Sequence, residues 1–154
     1  MTSDARHAAA PLNPPAQLPA RPPVAAARRY GDQLITSGQT AHIGGRNISN
    51  GVVGSTVDLE TARRCAWQCA RNVVDAARAE LGSLSSIAGV ARVTVYVAST
   101  PEFTDHHLVG DAASQYFLEV FGPEVGLHTR AALGLASLPT GSPVEVEAVF
   151  QLKK

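Results

Sequence analysis

The chain has 154 residues, 45% of them hydrophobic and 17% charged. That length suits one domain and the composition supports a packed core, so disorder throughout is excluded. Lys+Arg and Asp+Glu number 13 each; a neutral chain lacks the positive field that phosphate backbones demand, and no apolar run nears the ~20 residues that cross a bilayer, so neither nucleic acid nor membrane is an expected partner.

Residues 1–27 read as an N-terminal arm. Pro11, Pro14, Pro15, Pro19, Pro22 and Pro23 are six of the ten prolines in the chain. Proline fixes φ and removes a donor, so the arm is expected to be extended and partly polyproline II, without helix or central strand. Arg6 is followed only by His7-Ala8-Ala9-Ala10 before Pro11, short of the ~7–15-residue apolar segment of a secretory signal, and the expected location is cytoplasmic.

The compact domain is expected over 28–154. Leu34-Ile35-Thr36-Ser37 reads as a short strand ended by Gly38. Residues 41–56 carry loop chemistry, with Asn50-Gly51 as a hairpin turn. Residues 58–81 are the strongest helix: Leu59, Ala62, Ala66, Ala70, Val73, Ala77 and Leu81 recur at helical spacing on one face. Arg64, Arg71 and Arg78 fall opposite and read as a solvated face, with Glu60 and Asp75 four residues from Arg64 and Arg71. Asp58 or Thr56 caps the start and Gly82 the end. Cys65 and Cys69 stand on this helix as small buried hydrophobes; without a second Cys or His pair at ligand spacing they predict no zinc site and no disulfide framework.

Residues 92–98 form a β-branched strand, with Val93, Val95 and Val97 on one face. A second helix is expected from about Phe103 to Phe121, stopped by Gly122-Pro123, with His106-His107 at its surface or boundary. Strands near 128–137 and 144–151 follow, separated by a turn-like Leu138–Pro143. Two amphipathic helices and several strands predict an α/β (α+β) domain: one mixed sheet with both helices on one face. The other face is then exposed and partly apolar, which predicts self-association.

Arg130 is the only arginine after Arg92, surrounded by small and apolar residues. A guanidinium stays charged, so it must reach water or an anion. Two accounts stand. In one, Arg130 pairs structurally with Glu145 or Glu147, which share a face of the last strand. In the other, it binds an anion beside a carboxylate that handles a proton or water. A hairpin centred near residue 140 would set Arg130 opposite residue 151, so spacing alone does not bring Glu145 to it.

Leu34-Ile35-Thr36-Ser37-Gly38-Gln39, Asn72, Val93–Val97, Thr129-Arg130, Leu138-Pro139 and Val144-Glu145-Val146-Glu147-Ala148, in that order, resemble the Rid family (reactive intermediate deaminases, also called the YjgF family) from about Tyr30 to Leu152. The resemblance implies a chorismate-mutase-like fold and a homotrimer with three clefts between subunits. It implies cofactor-free hydrolysis of small 2-imino or enamino acids to 2-oxo acids and ammonia. Arg130 takes the place of the carboxylate-binding arginine, Glu145 that of the water-positioning glutamate, and Ser37 that of the Ser-Gly serine, with Gly38 beside it. The backbone from Arg130 to Ala132 would supply further hydrogen bonds. His128 stands where deaminating members usually have proline, and would add to substrate selectivity. The family's cleft tyrosine falls near Val24, with Tyr30 displaced from it. These departures point to a divergent branch. The alternative is a non-catalytic module whose clefts bind small carboxylate metabolites; neutral charge and 5% aromatic content give no support to an RNA surface.

Overall fold

The computed structural model describes residues 1–11 and 24–154. Most of the proline-rich arm therefore lies outside the described residues. The part within them departs from an extended arm: Ser3–Ala9 form helix α1, which buries no residue. This stretch precedes the first proline, and the Thr2 hydroxyl caps it by accepting from the Ala5 amide at 3.2 Å.

Five short strands come next: β1 (Ala27–Tyr30), β2 (Gln33–Thr36), β3 (Gln39–Thr40), β4 (His42–Ile43) and β5 (Arg46–Asn47). The two-residue hairpin turn is Gly44-Gly45, not Asn50-Gly51. It joins His42↔Asn47 and Ile43↔Arg46, and both glycines have positive φ, as the tight hairpin turn requires.

Helix α2 (Leu59–Leu81) begins where expected: the Asp58 carboxylate accepts from the Thr61 amide at 2.7 Å. It ends on Gly82 in the left-handed region, φ 74°. Ala62, Cys65, Ala66, Cys69, Ala70, Val73 and Ala77 are buried along one side, while Arg64, Arg71 and Arg78 are exposed. Both cysteines are free. Burial pushes the Cys65 thiol up to about 11, and it raises Cys69 as well, so neither supplies a thiolate near neutral pH.

Strand β6 (Ile87–Ala98) is followed by α3 (His106–Val125), β7 (Thr129–Leu135) and β8 (Val144–Leu152). Helix α3 starts three residues later than the pattern suggested. Its last turn follows a break at Gly122, φ 76°, where Pro123 can restart a helix because its missing N–H is not needed there. The main sheet runs β1-β2-β8-β6-β7, with β3 also paired to β8. β7 runs parallel to β6, whereas β8 is antiparallel to it. The last two strands are therefore not a hairpin: β6 lies between them, and β6–α3–β7 is a crossover unit.

Val93, Val95 and Val97 of β6 and Val144, Val146, Ala148 and Phe150 of β8 are buried beneath α2 and α3. Phe117 of α3 meets Phe150 at 6.2 Å between ring centres. The architecture is thus a mixed sheet with both long helices on one face. Its open face carries Ile35 and Leu133 exposed, beside Tyr96, Glu145 and Glu147. No helix of the described residues is long and apolar enough to cross a membrane.

Candidate functional site

Arg130 stands on the edge strand β7, in register with buried Val93, and its side chain turns toward α3. Nη1 donates to Ser114 Oγ at 2.9 Å and Nη2 to the His107 carbonyl at 3.3 Å. Asp111 Oδ1 lies 3.0 Å from Nη2; the arginine side chain is 21% exposed and the aspartate 54%. The crossover explains the partners, because His107, Asp111 and Ser114 share one stripe of α3 at helical spacing. Gly110 belongs to the same wall: a Cβ there would sit 3.0 Å from the guanidinium carbon.

His128 completes this cluster. Its Nδ1 lies 2.6 Å from the Gly126 carbonyl and its Nε2 2.9 Å from Ser114 Oγ. A carbonyl only accepts, so Nδ1 carries the proton, and in the neutral ring Nε2 accepts from the serine hydroxyl. Burial lowers the His128 pKa, the bond to Gly126 opposes this, and the Arg130 charge lowers it further. One ordered line results: Arg130 donates to Ser114, and Ser114 donates to His128. A cavity of about 340 Å³ opens on Ser114, Leu118, Leu127, His128 and Arg130.

Glu145 lies elsewhere. It pairs with Thr40 on one side and Tyr96 on the other, on the open face. Its carboxylate presses on Gly38, where any Cβ would overlap Oε1. Burial, then the charge of Glu147, pushes its carboxyl above the ordinary range. Tyr96 donates its hydroxyl to Glu147 Oε1 at 2.9 Å. Ser37 is near in sequence, but its hydroxyl is committed to the Ala25 carbonyl at 2.6 Å. Asn72 ties α2 to this segment by donating to the Thr40 and His42 carbonyls at 2.9 and 3.0 Å. Gly38→Ala is expected to swing the Glu145 carboxylate into solvent, moving its titration down toward the ordinary range. Carboxyl-detected NMR titration checks this; an unchanged titration contradicts it.

Two groups thus form within one chain. Arg130, His128 and half-buried Ala132 belong to β7 and its approach, with Arg130 turned to the helices; Gly38 and Glu145 sit together on the opposite face, with Ser37 beside them. The chain does not bring Arg130 to Glu145, nor to Glu147. Tyr30 is on β1, at the far edge of the sheet from β7; Val24 is exposed. Sequence reasoning missed Asp111, Ser114 and Tyr96. The stripe 107-110-111-114 was readable, but only a parallel β7 places it against Arg130.

A second cavity, about 670 Å³, lies at the end of β6 and β7, where His106 Nε2 meets Ser99 Oγ at 2.9 Å. Among the described residues no group of three His, Cys, Asp or Glu is placed to hold a metal ion.

Comparison with known proteins closes the question of kinship. The family model described as Endoribonuclease L-PSP matches residues 16–151. Protein TCP17 of Trypanosoma cruzi is 37% identical over 125 residues, covering 77% of this chain and 78% of that protein. Among solved structures, Atu1372 of Agrobacterium tumefaciens, a protein of unknown function, is 38% identical with a TM-score of 0.83, over 88% of this chain and 86% of that one. A putative endoribonuclease of Shewanella oneidensis MR-1 is 26% identical with a TM-score of 0.81, over 97% and 98%. The chain belongs to the endoribonuclease L-PSP family, the YjgF/Rid family, and has its chorismate-mutase-like fold.

Proposed function

We propose that this protein hydrolyses small 2-imino and enamino acids to 2-oxo acids and ammonia, without a cofactor, in clefts between the subunits of a cytoplasmic homotrimer. The observation that carries the reading is Arg130. Its guanidinium is fixed by Ser114 and the His107 carbonyl at a cavity wall. Its counter-ion, Asp111, is 54% exposed, so a ligand carboxylate can exchange with it at little cost. A carboxylate gripped in this way places the adjacent imine carbon in one position.

Glu145 takes the role of proton acceptor, from a neighbouring protomer. Arg130 and Glu145 face opposite sides of one sheet, so a shared cleft draws them from different copies. The free outer edge of β7 and exposed Ile35 and Leu133 support such assembly. The chemistry balances simply. A water oxygen bonds to the imine carbon as the C=N π pair moves to nitrogen. Glu145 takes a proton from the water and passes it to the nitrogen. The carbinolamine then expels ammonia as its hydroxyl proton moves to the departing nitrogen and the C=O forms. Gly38 leaves room for the Glu145 carboxylate, and the Arg130–Ala132 backbone offers further hydrogen bonds.

The test generates imines with an amino-acid oxidase and follows 2-oxo acid release. Glu145→Gln is expected to lower the rate by about 10²–10⁴-fold, the usual reach of general-base help. Because the base must be ionised, activity rises with pH, and the acid limb lies above the ordinary carboxylate range. Glu147→Gln removes a like charge, so the limb shifts to lower pH. A limb that ignores Glu147 would count against Glu145 as the base.

A second reading is favoured by the separation of the two groups in the chain: Arg130 alone suffices to bind carboxylates without turnover. It predicts saturable calorimetric binding of 2-oxo acids with no imine hydrolysis.

A further inference from the structure

The geometry points to a specificity device around Arg130: the cavity between α3 and β7 selects monocarboxylates bearing an apolar substituent, with Leu118 and Leu127 receiving the substituent and Asp111 turning away a second negative charge. This rests on the proposed function and narrows it to a class of acid.

Among the described residues of the chain, Arg130 is the only cation lining the cavity. His128 adds none near neutral pH, because burial, and then the Arg130 charge, hold its pKa below the ordinary value. Part of the Arg130 charge is already answered by Asp111 at 3.0 Å. One carboxylate can replace that partner. When it does, Asp111 remains tethered beside the guanidinium on α3, as an uncompensated anion. A ligand with a second carboxylate meets that charge and finds no second cation among the described residues. Asp111 is half-exposed, so the repulsion is screened and shows as a few-fold loss of affinity.

Leu118 is half-buried beside Ser114, one helical turn along α3. Leu127 is 73% exposed yet lines the same cavity. A guanidinium at one wall and two leucines at another fit a ligand with a charged head and an aliphatic or aromatic tail. The Arg130–Ser114–His128 line fixes the head, so the tail has a set direction. Each methylene fully transferred from water to such a wall strengthens binding about fourfold.

The experiment is calorimetric titration of the full-length protein with pyruvate, 4-methyl-2-oxopentanoate and 2-oxoglutarate. The branched acid is expected to bind at least about tenfold more tightly than pyruvate, reflecting partial burial of its extra carbons. The dicarboxylate is expected to bind weakest. Leu127→Asn, at an exposed position that leaves folding intact, is expected to reduce the branched-acid-to-pyruvate ratio to about threefold or less. Asp111→Asn is expected to raise 2-oxoglutarate affinity relative to pyruvate by about fivefold. A wild-type ratio near one, a ratio untouched by Leu127→Asn, or a dicarboxylate that ignores Asp111→Asn would each overturn the inference. If these acids bind without the predicted order, only this inference falls. If none binds and no imine is hydrolysed, the proposed function falls with it.

Discussion

Arg130→Ala is expected to lower kcat/KM for imine hydrolysis by at least about a hundredfold, and to abolish calorimetric binding of 2-oxo acids at millimolar concentration. A charge-assisted hydrogen bond contributes about 1.5–3 kcal/mol, and a guanidinium offers two in parallel to a carboxylate. Losing both removes the only cation that the described residues bring to the cavity. Arg130→Lys should recover little, because an ammonium is a point charge without the planar fork. The fold should survive, since the side chain reaches solvent and its ion pair with Asp111 is half-exposed. Circular dichroism and oligomeric state measured on the same variant separate lost chemistry from lost structure. Unchanged rates in a folded Arg130→Ala variant would remove Arg130 from the mechanism.

The largest effect on stability is expected at Phe117→Ala: a loss of about 3–5 kcal/mol, read from urea unfolding. Phe117 is 0% exposed. Its ring meets Phe150 of β8 at 6.2 Å and His128 at 5.6 Å, both edge-on. Deleting it opens a cavity between α3 and the sheet that neighbouring backbone cannot collapse to fill. Phe117→Leu keeps much of the volume and should cost about 1–1.5 kcal/mol. The same ring supports the imidazole that accepts from Ser114, so Phe117→Ala should also weaken ligand binding. A loss below about 1 kcal/mol would show that the core repacks around the gap.

Much of this was readable from residue order. Helix α2 was, because its apolar positions, its Asp58 cap and its Gly82 stop all agree, and local agreement survives folding. The alternation of β8 gave its buried valines, and the motif from Thr129 to Ala148 gave the family. The pairing of β7 was not readable: a turn-like segment at 138–143 suits a hairpin, and only the packing of α3 across β6 decides for the parallel arrangement. The partner of Arg130 followed from that missing step. Nothing local in Arg130 or Asp111 names the other, and the crossover alone brings them together. Asn-Gly is the stronger dipeptide signal for a hairpin turn, yet the turn falls at Gly44-Gly45, and Asn50 has other work: its side-chain oxygen accepts from Asn47 at 2.7 Å. Helix α1 is short, and the prolines that follow it dominate the composition of the arm.

Burial of Cys65 and Cys69 also makes the molecule convenient to label. They are the only two cysteines in the sequence, and both are shut inside the core. A maleimide fluorophore would ignore them in the native state and react with a single sulfhydryl placed on the surface. Leu127→Cys puts that handle at the cavity mouth, where dye emission would follow occupancy in real time.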